Sequence, residues 1–188
     1  WDPRVVPSPR LRFMPAFDFV RPTLESWGVV PPEIHQTEES GMMVQRFPTD
    51  DALAITWNLV PGRLVVATAL GAEPAEAARV LLVEADLRRE ESRADRWWRA
   101  YWRDVPVLHL PDPEIQRAWI YSLYRQAGLT TPGGVAATLQ GPWMEEYQIP
   151  PWSNDYHFNI NVQMIYTPCL ASNRPSHLQP LWDLLRGW

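Results

Sequence analysis

The amino-acid sequence predicts a mixed fold, an antiparallel sheet followed by helices, and three observations carry that reading. Apolar residues alternate with period two over residues 42–70, recur with the helical period from Pro74 to Arg103, and do so again after Asp112. With 188 residues the chain is long enough for one domain with its own core or for parts of two. It opens on Trp1 and closes on Trp188 just after an amphipathic run, which reads as a piece of a longer protein.

Residues 1–41 are rich in proline. Pro7, Pro9, Pro15 and Pro22 argue against helices, so the short apolar pieces such as 17–20 are expected as edge strands or extended loops. The β-rich runs MMVQRF, LAITWNLV and RLVVATAL follow, the last two joined by Pro61-Gly62 as in a hairpin. In the middle run Leu53, Ile55, Trp57 and Leu59 share one face and Ala54, Thr56 and Asn58 the other. The alternation predicts a sheet packed on one side.

Pro74 starts helical sequence. Ala94, Trp98, Tyr101, Trp102 and Val105 form one stripe, read as the seam where a linker helix docks. Asp112-Pro113 is a cap followed by an N1 proline, so the next helix starts there, with Ile115, Trp119, Ser122, Leu123 and Gln126 on one side and Gly128 as its stop. Helical sequence resumes only near Ile160. About thirty residues without an element is too long for a plain connection, and such ordered loops usually carry function.

The candidate site lies in that gap, in the stretch LQGPWMEEYQIPPWSNDYHFNINVQMIYTP over residues 139–168. Aromatic faces interleaved with amides and carboxylates suit a sugar, whose C–H faces pack on rings and whose hydroxyls need paired donors and acceptors. Glu145 and Glu146 are adjacent and cannot both face one bond if the loop is extended, and Asn154-Asp155 reads as a turn. His157, Asn159 and Asn161 alternate with Phe158 and Ile160: an extended backbone would project the three polar groups to one side, whereas an early helix start would make Asn159 a cap. Asparagine amides can orient a water but cannot act as its general base near neutral pH.

Other classes fit poorly. A net charge of −5 and no basic cluster argue against nucleic acid, no apolar run approaches the length of a membrane span, and four histidines without a ligand-like pair give no metal site. No cofactor is implied. The single cysteine, Cys169, excludes an intramolecular disulfide and reads as a buried small side chain. The sequence does not fix the oligomeric state.

The pieces LQGPW, PPW and HFNINVQMIYTP, then Asn173 and Pro180-Leu181, resemble family 95 of the glycoside hydrolases, the inverting α-L-fucosidases and relatives, whose motifs run LQGIW, PPW, NINLQMNYWPAE and NLSE…PL. The resemblance implies the end of an N-terminal β-sandwich (residues 1–72), a helical linker (73–111) and the beginning of an (α/α)6-barrel catalytic domain (112–188). It implies that Asn159 and Asn161 orient and activate the attacking water, and that Gln140, Trp143, Trp152 and His157 lie at or near the sugar. The family's general acid and the aspartate partner of the water would come from later barrel helices. The partner would then be an oligosaccharide or glycan, and the location secreted or periplasmic. Ile165 to Leu170 depart from the family's Asn-Tyr-Trp-Pro-Ala-Glu and Arg174-Pro175-Ser176 from its Leu-Ser-Glu, so an α-galactoside fits as well as an α-L-fucoside. A non-catalytic carbohydrate-binding module with a Trp-rich loop is the alternative.

Overall fold

A computed structural model describes residues 14–106, 108–141 and 148–188. They divide into two compact units, one reaching to Glu91 and one taking up Ser92 onward, Gln148 excepted.

The first unit is a four-stranded antiparallel meander, β1 (Glu33–Gln36), β2 (Ser40–Gln45), β3 (Ala52–Val60) and β4 (Arg63–Gly71), in sequential order. The β3–β4 turn has two residues, with Val60 opposite Arg63. Pro61 presets its first position, and Gly62, at φ 75°, takes the left-handed second position that a side chain disfavours.

The sheet is most deeply buried on its small-residue face. Helix α2 (Pro74–Val83) lays Ala75 and the fully buried Ala78 against Val44, Ala54, Met42 and Ala69. Short side chains let the helix backbone come close to the strands. On the other face, Trp57 is 5% exposed with its ring over Gly41, its partner across the β2–β3 ladder.

One expectation for the N-terminal third is corrected. Residues 17–20 begin a helix, α1 (Phe17–Ser26), although Pro22 lies inside it. Val20 leaves helical geometry (φ −124°, ψ 25°), so Pro22 falls near the start of a fresh turn, where a missing N–H costs little. The proline-flanked EIHQ is ordered as β1, an edge strand whose free side needs no donor.

Helix α3 (Leu87–Arg103) runs from the last residues of the first unit into the second. Within the second unit, Trp98 stacks on Tyr124 at 5.3 Å between ring centres, and the buried Tyr101 donates its hydroxyl to the Leu123 carbonyl at 2.8 Å. Helix α4 (Pro113–Thr130) opens as its sequence predicts: Asp112 Oδ1 accepts from the N–H groups of Glu114 (2.8 Å) and Ile115 (3.4 Å). Its far end is a correction. The helix passes through Gly128 to Thr130, because Thr130 and Thr131 return their hydroxyls to the carbonyls of Gln126 and Ala127 and so satisfy the last turn. Its buried side is Leu123, Gln126, Ala127 and Thr130, while Ile115, expected on that side, is exposed.

The core of this unit gathers Ala137, Val162, Tyr166 and Cys169, with Leu129, Phe158, Ile165, Leu178 and Leu181 packed around it. It lies where α4 meets α5 (Asn161–Ala171), a 3-10 turn (Pro175–Leu178) and α6 (Gln179–Arg186).

Candidate functional site

The long connection between α4 and α5 is built up from its hydrogen bonds. Two tyrosines strap its first part: Tyr156 donates its hydroxyl to the Ala136 carbonyl (3.1 Å), and the Ala137 N–H donates to the buried Tyr166 hydroxyl (2.9 Å). Burial raises the pKa of both phenols above its ordinary value, so they stay neutral and able to hold these bonds. Met164, an apolar side chain on the same helix as Tyr166, is exposed.

A second tie joins residues 139–141 to residues 154–155. The Leu139 N–H donates to the Asp155 carbonyl (3.1 Å), the Gln140 N–H to Asn154 Oδ1 (2.7 Å), and Asn154 Nδ2 to the Gly141 carbonyl (3.0 Å). Asp155 uses its own carboxylate on the next residue, accepting from the Tyr156 N–H at 2.7 Å, which closes the turn its sequence suggested. The sequence pattern alone does not announce this Asn154 clamp. The available signal was an asparagine two residues after Trp152, able to bond like a peptide group and to tolerate left-handed backbone.

That backbone is unusual. Trp152, Ser153 and Asn154 stand consecutively at φ 48°, 54° and 56°, within a 3-10 turn, Pro151–Asn154. A single non-glycine residue there costs about 1–3 kcal/mol, so a run of three persists only because the neighbouring bonds hold it. Its effect is to display the indole of Trp152, which is 73% exposed and meets the His157 ring edge-on at 6.0 Å. Trp152 is therefore a surface ring and not a core residue.

His157 comes next. Its Nε2 is buried and has no hydrogen-bond partner among the described residues, an uncommon state for a ring nitrogen. Its carbonyl accepts from the Val162 N–H at 3.1 Å, fixing the histidine against the first turn of α5.

Both readings of the HFNIN alternation are corrected. The segment is neither a strand nor a helix capped by Asn159: residues 158–160 form a turn, Ile160 is the residue before the helix, and Asn161 is its first residue. The Asn159 Oδ1 accepts from the neighbouring Ile160 N–H (2.8 Å), so it serves the turn rather than the helix amides. Asn159 is exposed, whereas Asn161 is half-buried and its amide is committed to no neighbour among the described residues. The two amides thus share one location, the N-terminal end of α5, where the aligned peptide dipoles favour negative charge.

Among the sequence-predicted residues, Gln140, Trp152 and His157 are brought together by the Asn154 clamp and the Trp152–His157 contact, and Asn159 and Asn161 follow directly at the helix. Trp143, Glu145 and Glu146 lie outside the described residues. A groove of about 630 Å³ on the sheet unit, bordered by His35, Asn58 and Arg79, contains none of them. Among the described residues no three histidine, cysteine, aspartate or glutamate side chains could jointly hold a metal ion, and no helix is long and apolar enough to cross a membrane.

Behind the loop lies a buried polar cluster that the sequence pattern did not reveal. Gln126 Nε2 donates to the Ile165 carbonyl (2.9 Å) and to Cys169 Sγ (3.2 Å), and Thr130 Oγ1 meets His177 Nδ1 at 3.0 Å. Arg174 stacks over the Tyr101 ring at 4.5 Å and bonds the Tyr101 carbonyl. Burial, then the Arg174 charge, holds His177 below its ordinary value, so its imidazole is kept neutral. Burial pushes the Cys169 thiol up, which makes it a packing group and not a nucleophile.

Comparison with known proteins agrees with the sequence motifs. Residues 79–188 match the Glycosyl hydrolase family 95 catalytic domain. Over 75 residues the chain is 36% identical to "Probable alpha-fucosidase A" of Aspergillus niger, covering 39% of this chain and 9% of that protein. It is likewise 36% identical over 75 residues to "Alpha-L-fucosidase 2" of Arabidopsis thaliana, with the same coverage of 39% and 9%. The chain thus spans a small part of the length of these relatives, and no solved structure matches it. With the family match extending over more than half of its residues, the chain belongs to glycosyl hydrolase family 95.

Proposed function

We propose that this chain contributes the substrate- and water-holding part of an inverting glycoside hydrolase that removes terminal α-linked L-fucose, or a related sugar such as galactose, from glycans. The observation that carries the reading is the placement of Asn159 and Asn161 together at the start of α5, directly after His157, in the part of the chain that matches the family.

In this reading Asn161, half-buried and committed to no neighbour among the described residues, donates to and accepts from the attacking water, and Asn159 faces the same water once its bond within the turn is exchanged. The N-terminal end of α5 favours the negative charge that develops as the water loses its proton. Trp152 packs against the C–H face of the sugar, and Gln140 and His157 bond its hydroxyls, the Nε2 of His157, which has no partner among the described residues, being the natural contact. Trp143 is assigned to the same wall from its motif. Inversion needs an acid and a base about 6.5–9.5 Å apart across the bond, and neither amide can be either one. The general acid and the carboxylate base are assigned to later helices of an (α/α)6 barrel.

The domain plan follows: residues 1–72 as the end of a β-sandwich, 73–111 as linker and 112–188 as the start of the barrel. The two fucosidase relatives support L-fucose as the first substrate to try, and their names are the basis for that choice.

The experiment is turnover of aryl α-L-fucoside and aryl α-galactoside by the full-length protein and its Asn161→Ala variant. Loss of a group that orients the nucleophile and stabilises developing charge is expected to lower kcat by about 10²–10³-fold. Undiminished turnover in Asn161→Ala overturns the assignment.

A further inference from the structure

We infer that Asn154 is a positioning residue for sugar binding, acting through Gln140; this rests on the reading of Gln140 as part of the sugar subsite. Its amide bridges two segments of the connection as a peptide group would in a β-ladder. Oδ1 takes the Gln140 N–H at 2.7 Å and Nδ2 gives to the Gly141 carbonyl at 3.0 Å. The Leu139 N–H bond to the Asp155 carbonyl (3.1 Å) continues the seam, and the Gly141 N–H bond to the Thr138 carbonyl (3.1 Å) closes a turn within residues 138–141. Residues 138–141 are therefore fixed relative to Trp152 and His157, and the anchor of the Gln140 side chain is set by a neighbour that need not touch sugar.

The chemistry of the position is narrow. It needs a short side chain carrying one acceptor and one donor, on a backbone at φ 56°, and asparagine is the residue that offers both amide atoms at that reach while tolerating left-handed geometry. Glutamine carries the same amide on a longer stem. Aspartate accepts from Gln140 but, when ionised, turns a second oxygen toward the Gly141 carbonyl, so the donor side of the clamp fails. That failure is reversible: a carboxyl with an ordinary pKa near 3.9 regains a donor proton as the pH falls toward about 4.

Tryptophan fluorescence of the full-length protein titrated with L-fucose, and with D-galactose in parallel, gives dissociation constants for wild type, Gln140→Ala, Asn154→Gly and the double variant. Glycine keeps the positive φ while deleting the clamp, so this variant is the one that folds most readily, and a thermal melt verifies it. Asn154→Gly and Gln140→Ala are each expected to weaken binding by about tenfold or more, and the double variant by no more than the weaker-binding single, because both changes remove one unit. Asn154→Asp is expected to bind weakly at pH 7 and to recover toward pH 4 relative to wild type at the same pH, a dependence that a merely structural role would not produce.

Binding by Asn154→Gly within about twofold of wild type, with Gln140→Ala clearly weakened, overturns the inference and leaves the sugar site standing. So do effects of the two single variants that multiply in the double. A wild-type protein that responds to neither sugar overturns the sugar-site reading itself, and the positioning role with it.

Discussion

The two units are held together by different means. In the first, an antiparallel ladder sets the register and the tight contacts are steric: alanines of α2 against alanines of β3 and β4, and the Trp57 indole over Gly41. In the second, the helices meet around buried polar atoms as well as an apolar core. Gln126, Thr130, Arg174 and His177 are all buried and bond to one another, to carbonyls or to the Cys169 thiol. A steric interface responds to volume and is indifferent to pH, whereas a network of neutral imidazole, amide and hydroxyl responds to protonation. The difference has a bearing on function, because the connection that carries the candidate site is tied to α5 of this unit through Tyr166, while Tyr156 ties the connection to itself.

The largest expected effect breaks the steric side. A Cβ placed on Gly41 would lie 2.1 Å from Trp57 Cζ2 and 2.4 Å from Cη2. That ring is buried and pinned in the middle of the ladder, so it cannot swing aside as the end of a flexible side chain would. Gly41→Ala is expected to cost about 1–3 kcal/mol, as overpacking of a close-packed interior does. Urea denaturation followed by the amide exchange of β2 and β3 checks it; a variant as stable as wild type at these strands would show that the indole relaxes freely.

Next in size is a change on the polar side, read as a slope. His177 is held below its ordinary value in the folded protein, so the unfolded chain binds a proton that the folded chain refuses. Stability from this group is then fully present above the unfolded value near 6.5 and is lost as the pH falls through that value toward the lower folded one, at no more than about 1.4 kcal/mol per pH unit. The groups facing it sharpen the sign: Arg174 is already cationic, Tyr101 is neutral and its ring lies 5.6 Å away, and Thr130 is uncharged. His177→Gln, which keeps an amide for Thr130, is expected to flatten the fall in melting temperature between about pH 7 and 5. An unchanged slope would place the acid sensitivity elsewhere.

How much of this was legible in the sequence also divides by unit. The period-two runs, the Pro61-Gly62 turn and the Asp112-Pro113 start are local signals, and the structure has β2, β3, β4 and the α4 cap where those residues put them. Helix α1 was hidden because Pro22 argues against a helix unless the chain breaks just before it, at Val20, and that break is not a property of any one residue. Gly128 is no stop because threonine hydroxyls two and three positions later bond the Gln126 and Ala127 carbonyls, so the last turn is satisfied without a glycine cap. At the site, the residue types and the family motifs were readable. The path of the chain through them was not: three successive left-handed residues and a clamp spanning 14 positions are long-range outcomes, with no period to announce them. The polar cluster shares that cause, since Gln126 and His177 are 51 positions apart and only folding makes them neighbours.

The smallest expected effect tests whether the second unit depends on local signals at all. Asp112 is exposed and serves two backbone N–H groups at the start of α4, at 2.8 and 3.4 Å, the longer being near the limit of a useful bond. Asp112→Ala leaves those donors to water and removes a negative charge from the positive end of the helix dipole, for a cost of about 1 kcal/mol. Asp112→Asn keeps the acceptor and loses only the charge, so it should recover most of that difference. Because Leu123, Gln126 and Thr130 lie toward the opposite end of α4, the loss should appear as faster amide exchange in its first turn, with the last turn unchanged. If exchange rises equally along the whole helix, the cap and the buried polar cluster form one cooperative unit, and the polar side of the molecule is less divisible than its hydrogen bonds suggest.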